Sequence, residues 1–476
     1  MDKNSQLKKD AEDLKKIGYA QELFRDMGGF SNFALSFSII SILTGAIQLY
    51  GYGLQHGGPL VITLGWWLVS VMTLTVALSM AELASAYPTA GALYHWSSML
   101  GGRAFGWFTA CFNTIGQFAI LAGIDYGLTQ LCIGAAGAKN TLVLSFSLYT
   151  FILFSHATLN HYGIRLVSWL NDFSAWYHVG VVLLLIGSLV WAGFNQPVSF
   201  LFIPQNTDGF SYPYSFLLGL LLAQWTLTGY DASAHVSEET LNPRKAAPWG
   251  IFIAVVTSII FGSLMLSAIT LSIPDLGLVT GFGDNAFAEI LRLKLGQGLG
   301  NTLVFLVLGA MWLCGLSAMT SASRMVYAFS RDGGLPFSKH WQKVCVKYKT
   351  PSRAIWMLAG VALLLAVSVK LYSAVVSVAT VALYISYGLP ILARLWMRMR
   401  SRKKDQKDTK GPWNLGPWST PVAFLALLWI SFICIVFILP PNFQAGIVLA
   451  CFFMLLCGIW IFRARHNFKG PPGFLK

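Results

Sequence analysis

The chain has 476 residues, of which 55% are hydrophobic and 11% charged, with 33 Lys and Arg against 19 Asp and Glu and a formal charge of +14. With a mean hydropathy of +0.62, most of it cannot be a water-soluble globular domain, and the composition points to an all-α polytopic membrane protein. The positive charge calls for no nucleic acid partner, because a membrane protein concentrates Lys and Arg in its cytoplasmic loops.

A spanning helix needs about 20 largely apolar residues. Twelve such segments follow in chain order, centred near Ile42, Val71, Ile115, Tyr149, Val182, Leu222, Ile260, Leu308, Leu363, Leu383, Leu428 and Met454. The first twenty-odd residues are charged and helix-prone (KKDAEDLKK) and lack the apolar core of a cleavable signal peptide. The N-terminus is therefore expected in the cytoplasm, and an even number of spans puts the C-terminus there too. The loops on the outer side then hold only Lys139, Arg292, Lys294 and Lys370, which leaves the other 29 of 33 basic residues inside. The expected organisation is a cytoplasmic segment 1–26, a ten-helix core 27–397, a basic cytoplasmic loop 398–420, two further helices 421–462 and a cytoplasmic tail 463–476. The tract RLWMRMRSRKKDQKDTK at 394–410 reads as a solvated loop weakly attracted to anionic lipid.

Segment 1 carries ISILTGAIQ, with a break expected over Ser41, Ile42, Leu43, Thr44, Gly45, Ala46 and Ile47 and an outer half-helix beginning near Gly45. A half-helix N-terminus offers unpaired N–H groups to a carboxylate. Segment 6 carries AQWTLTGYD, again with Leu-Thr-Gly in the middle, over Trp225, Thr226, Leu227, Thr228, Gly229, Tyr230 and Asp231. Carbonyls released at such a break accept hydrogen bonds from an ammonium group, and Trp225 is placed to act as a lid. Matching interruptions in the two halves of a membrane protein are a pointer to a substrate site at the midplane.

Intramembrane charge needs a partner or a purpose. Glu82 and Asp172 fall near the cytoplasmic ends of segments 2 and 5, where snorkelling or loop capping is expected. Asp125, two turns beyond Gln117 in segment 3, and Asp231 are candidates for a substrate amine or a gate, against a structural bond to a neighbouring helix. His178, mid-way along segment 5, is a candidate proton carrier, against a neutral histidine bonded within the bundle. Glu238, Glu239 and Arg244 after segment 6, and Arg324, Arg331 and Asp332 after segment 8, supply charges for a cytoplasmic gate, with the pairing left open. Seven cysteines lie mostly within helices without metal-ligand spacing. No HExxH, GxSxG or Walker A motif is present, so an enzyme, a metal centre, a cofactor or an ATP-driven pump is not expected. Energy must come from a gradient.

The stretches FSNFALSFSIISILTG, AELASAYPTAGALYHWS, WTLTGYDASAHVSEETLNPR and SASRMVYAFSRDGGLP resemble signatures of the amino acid, polyamine and organocation (APC) transporters, most closely the branch of GABA, amino acid and choline permeases. The resemblance runs from about Gly18 through segment 10. It implies a LeuT-like fold in which segments 1–5 and 6–10, about 27–195 and 212–397, form inverted repeats around broken helices 1 and 6. It further implies that Thr44, Gly45, Ala46 and Ile47, beside Ser41, hold the substrate carboxylate, here with L-T-G-A in place of the usual glycine-rich sequence. The amine then falls to the carbonyls from Trp225 to Thr228, the aromatic gate to Trp225 and a polar substrate contact to Gln117. Counting from Gly163, the lysine of proton-coupled bacterial relatives falls on His178, with Ser317 and Thr320 at the other wall of that ion site. The implied function is import of a small amino acid, GABA or a related zwitterion, coupled to protons, across the inner or plasma membrane. The alternatives are a choline, polyamine or other cation transporter, which would make Asp125 or Asp231 indispensable, an amino acid exchanger, or a transporter-like nutrient sensor.

Overall fold

The computed structural model describes residues 3–162, 164–366, 372–401 and 410–472. Every named element among them is a helix, and the one extended pairing is an isolated parallel bridge between Met27 and Thr240. Segments 2 to 5 contain Trp66–Ala86, Arg103–Ala135, Leu142–Tyr162 and Ile164–Trp191. Segments 7 to 12 are Pro243–Leu271, Ala286–Arg331, Ser352–Ala366, Tyr372–Ser401, Ser419–Val436 and Phe443–Ile459.

Among the described residues, ten helices qualify as membrane spans by length and hydropathy. Segments 6 and 9 fall short of the expected twelve for two different reasons. Segment 6 is divided into Tyr212–Gly219, Leu221–Thr226 and Ala232–His235, so no piece is long enough. Segment 9 runs to the edge of the described residues, and Lys370 lies outside them. Segment 1 is divided too, into Gly29–Ile40, Gly45–Gln48 and Tyr50–Leu60. Gly58, at φ 63 and ψ −159, and Pro59 part its outer end from segment 2.

Burial sorts the elements. The apolar window of segment 1 is 89% buried and that of segment 12 only 17%, so segment 1 is interior and segment 12 peripheral. Outward-facing Phe151, Leu183, Phe453 and Phe462 are exposed, as side chains facing lipid are. Without a hydrophobic drive between helices in lipid, their association relies on close packing and interhelical hydrogen bonds. The Trp66 indole accordingly donates to the Ile259 carbonyl at 3.1 Å, joining segments 2 and 7. Segment 1 packs against segments 5, 7 and 8, and the broken part of segment 6 against segments 1, 8 and 10.

The N-terminal residues are tied down. After a helix over Lys3–Lys16, the amides of Asp26 and Met27 donate to the Glu239 carbonyl, and buried Arg25 donates to the carbonyls of Ser237 and Thr240 at 3.1 and 2.5 Å. At the other end, the helical path of segment 12 continues through a π-turn to Asn467, beyond the expected end at 462. Phe468 then packs on Tyr94 and Phe329.

Candidate functional site

The breaks of segments 1 and 6 meet at the centre. Ser41 leaves the helix at φ 27, ψ 84, and regular helix resumes at Gly45. In segment 6 regular helix stops at Thr226 and resumes at Ala232, with Gly229 at φ 88 between them. A Cβ on Gly45 would stand 2.7 Å from the Thr226 Cα, and one on Gly229 would stand 2.3 Å from a methyl carbon of Ile39. Each Leu-Thr-Gly glycine is thus the point where its own segment approaches the other one, which requires the missing side chain.

The hydroxyls here are held locally: Thr226 on the Leu222 carbonyl and Thr228 on the Trp225 carbonyl, each at 2.6 Å. The amides of Thr44 and Gly45 both donate to the Ser41 carbonyl, at 2.8 and 3.0 Å. Ala46 is buried, and the Trp225 indole is buried against Gly123 of segment 3. Tyr230 stacks at a tilt on Tyr387, ring centroids 5.3 Å apart. Beyond the break, at the far end of segment 1 from the N-terminal residues, lies a cavity of about 660 Å³. Ile47, Gln48, Tyr126, Gln130, Asn140 and Asp284 are among its lining residues. The structure therefore brings Ile47 to the lining of this vestibule.

His178 reaches the break of segment 1. Its Nε2 lies 2.8 Å from the Ser41 hydroxyl, which is itself 2.6 Å from the Thr44 hydroxyl. Its Nδ1 lies 2.8 Å from the Ser174 carbonyl, an acceptor, so Nδ1 carries a hydrogen and Nε2 accepts from Ser41 when the ring is neutral. Ser317 and Thr320 of segment 8 are bonded to other side chains. They donate to Asn171 Oδ1 and Asn160 Oδ1 at 2.7 and 2.8 Å, cross-linking segment 8 to segments 5 and 4, and no described hydrogen bond joins them to His178.

Gln117 and Asp231 come together, although the sequence suggested no link between them. Gln117 Nε2 donates to Asp231 Oδ2 at 3.2 Å, joined by Asn113 at 3.4 Å, while the Tyr387 hydroxyl donates to Oδ1 at 2.8 Å. Asp231 also faces His235 Nε2 at 3.2 Å. His235 could have been found from its spacing, one helical turn after Asp231; Asn113 and Tyr387 carried no such signal.

Asp125 pairs instead with His156 of segment 4 at 3.3 Å, both side chains fully buried. Glu82 does not snorkel: it is buried, 2.9 Å from Arg394 of segment 10, and accepts from Ser419 at the start of segment 11. Arg394 and Arg398 are one turn apart, so both turn toward segment 2. The start of the basic tract is thus structural rather than solvated, and residues 402–409 lie outside the described residues. Asp172 accepts from Ser31 at 3.0 Å.

Among the charges expected to form the gate the pairing is now specific. Arg324 meets Glu239 with two hydrogen bonds, 2.7 and 3.2 Å, and Arg331 meets Glu238 with two more, 2.9 and 3.0 Å. The Ala90 amide adds a third bond to Glu238. Burial by itself would raise the Glu238 carboxyl, but the Arg331 charge and these bonds outweigh it and hold the group below the ordinary range. Asp332 accepts from the hydroxyls of Tyr19 and Tyr94, yet burial leaves its carboxyl above the ordinary value. Arg244 stands apart, bonded to the Ser85 carbonyl.

The family model described as Amino acid permease matches residues 27–462. The chain is 39% identical to the amino-acid permease BAT1 homolog of Oryza sativa subsp. japonica, over 96% of this chain and 94% of the relative. It is 38% identical to the amino-acid permease BAT1 of Arabidopsis thaliana, over 96% and 95%. With the GABA-specific permease of Saccharomyces cerevisiae it shares 30% identity over 94% and 82%.

Proposed function

The chain belongs to the amino acid permease family, and we propose that it is a secondary active transporter importing GABA or a closely related zwitterion by proton-coupled alternating access. The observation that carries this reading is the facing pair of broken helices, where Gly45 abuts Thr226 beneath the outer vestibule. A zwitterion needs opposite partial charges a few ångströms apart. Segment 1 supplies the amides of Ala46 and Ile47, with those of Thr44 and Gly45 turning to the substrate only as they leave the Ser41 carbonyl, and segment 6 supplies carbonyls from Trp225 to Thr228, with the Trp225 ring against segment 3 as the lid.

In this reading segments 1–5 and 6–10 form the LeuT-like inverted repeats. Segments 1, 2, 6 and 7 rock against the remainder, in a plasma or inner membrane with both termini cytoplasmic. Proton coupling falls to His178, because protonation at Nε2 would reverse its bond with Ser41 from acceptor to donor and so bear directly on the break. GABA leads the substrate choices because one of the similar permeases is named for it. A permanently cationic cargo has less support: Asp231 is already occupied by Gln117, Asn113 and Tyr387, and Asp125 by His156.

The deciding experiment is uptake of labelled GABA into proteoliposomes with and without an inward proton gradient, for the wild type and His178→Ala. Gradient-stimulated uptake that loses its stimulation in the variant supports both assignments. Absence of GABA flux alongside flux of choline or a polyamine overturns the substrate, and an unchanged gradient response in the variant removes His178 from coupling.

A further inference from the structure

Asp231 and His235 sit one turn apart just past the break of segment 6, and both side chains are fully buried. His235 Nδ1 lies 3.1 Å from the Ala90 carbonyl oxygen. A carbonyl only accepts, so Nδ1 carries a hydrogen. Nε2 then lies 3.2 Å from Asp231 Oδ2. A neutral imidazole with hydrogen on Nδ1 presents a lone pair there, and an ionised carboxylate presents another. Two acceptors in contact inside a dry interior repel each other, and the charge has no ion-paired cation beside it. The amides of Gln117 and Asn113 and the hydroxyl of Tyr387 donate to Asp231 from other directions and cannot fill this gap.

We infer that Asp231 and His235 together bind one proton between Oδ2 and Nε2, forming a proton site separate from the Ser41–His178 contact. Whichever atom carries it, the proton changes the pair from a net charge of −1 to zero. The site is wired to the break. Tyr387, which donates to Asp231 Oδ1, accepts from the Gly229 amide at 3.3 Å. Protonation therefore secures segment 6 against segments 3 and 10 at once. Loss of the proton leaves a buried carboxylate that has hydrogen-bond donors but no ion partner, facing the Nε2 lone pair at that interface, and loosens it. The proton thus favours the packing of segment 6 against segments 3 and 10 seen here, and release of segment 6 is linked to deprotonation. Coupling of this site to transport rests on the transporter reading above; the proton site itself does not.

The other groups facing the pair leave this assignment in place. Tyr230 on the same segment and Tyr384 and Tyr387 on segment 10 are neutral donors. Segment 3 contributes the amides of Asn113 and Gln117. Ala90 connects the pair to Glu238, whose charge is matched by Arg331, and Arg324 of segment 8 is matched by Glu239.

The test is hydrogen–deuterium exchange of the purified full chain from about pH 5 to about pH 9, corrected for intrinsic exchange, for wild type, Asp231→Asn and His235→Gln. In parallel, GABA counterflow is measured in proteoliposomes at equal pH on both sides. Exchange over residues 229–240 is expected to rise at least about fivefold in the wild type as the proton leaves. It should be nearly flat in Asp231→Asn, whose amide donates to Nε2 without a titrating proton, and in His235→Gln. A wild-type profile without that rise, or the same rise in both variants, overturns the site. Counterflow with a flat wild-type profile retains transport and discards the site; the exchange signature without counterflow does the reverse.

Discussion

Gly45 and Thr226 touch backbone to backbone: a Cβ on Gly45 would lie 2.7 Å from the Thr226 Cα and 2.8 Å from its hydroxyl. Neither segment can yield without losing the other, because both are buried at the centre of the bundle. Gly45→Ala is therefore expected to reduce uptake by at least tenfold, as about 1.4 kcal/mol of misfit at the site would. The more severe Gly229→Ala meets Ile39 and also forces a positive φ, which costs an ordinary residue about 1–2 kcal/mol. Initial uptake rates and the thermal midpoint of both variants check this, with Gly229→Ala the less stable.

Ser41 and His178 should behave as one unit. Removing Ser41 leaves the buried His178 Nε2 without its partner, so Ser41→Ala is expected to blunt the response to a proton gradient as His178→Ala does. The double variant should be little worse than either single one. A double-mutant cycle on uptake should give an interaction of about 0.5 kcal/mol or more, and strict additivity would separate the two residues.

The Arg324–Glu239 pair is nearly inaccessible, at 1% and 2% exposure. Glu239→Gln alone strands a buried guanidinium and is expected to destabilise by about 3–5 kcal/mol. Arg324→Met with Glu239→Leu removes both charges and should recover much of that loss. Thermal unfolding in detergent separates the two outcomes, and equal losses in single and double variants would mean the charges matter less than the packing.

The Glu238 carboxyl is held below its ordinary value although burial opposes this. A depressed carboxyl stabilises the fold above its unfolded value, about 4.3, and that contribution is lost as pH falls through the folded value. Glu238→Gln should therefore melt below the wild type at neutral pH. The gap should close only as the pH falls below the ordinary carboxylate range. A gap that does not change with pH would indicate lost packing rather than lost charge.

Ten of the twelve expected spans were legible from the run lengths of apolar residues, and both breaks from the repeated Leu-Thr-Gly, because hydropathy and helix-loosening residues act locally along the chain. The acidic and basic residues that follow segments 6 and 8 were legible as a set. Tertiary structure alone decided that Glu239 belongs to Arg324 and Glu238 to Arg331, that Glu82 is buried against Arg394, that Ser317 and Thr320 bond Asn171 and Asn160, and that Gln117 serves Asp231. Each of these depends on how distant helices are rotated about their own axes and set in register. Among buried polar groups, a rotation of one residue exchanges one partner for another without changing the hydropathy of the segment.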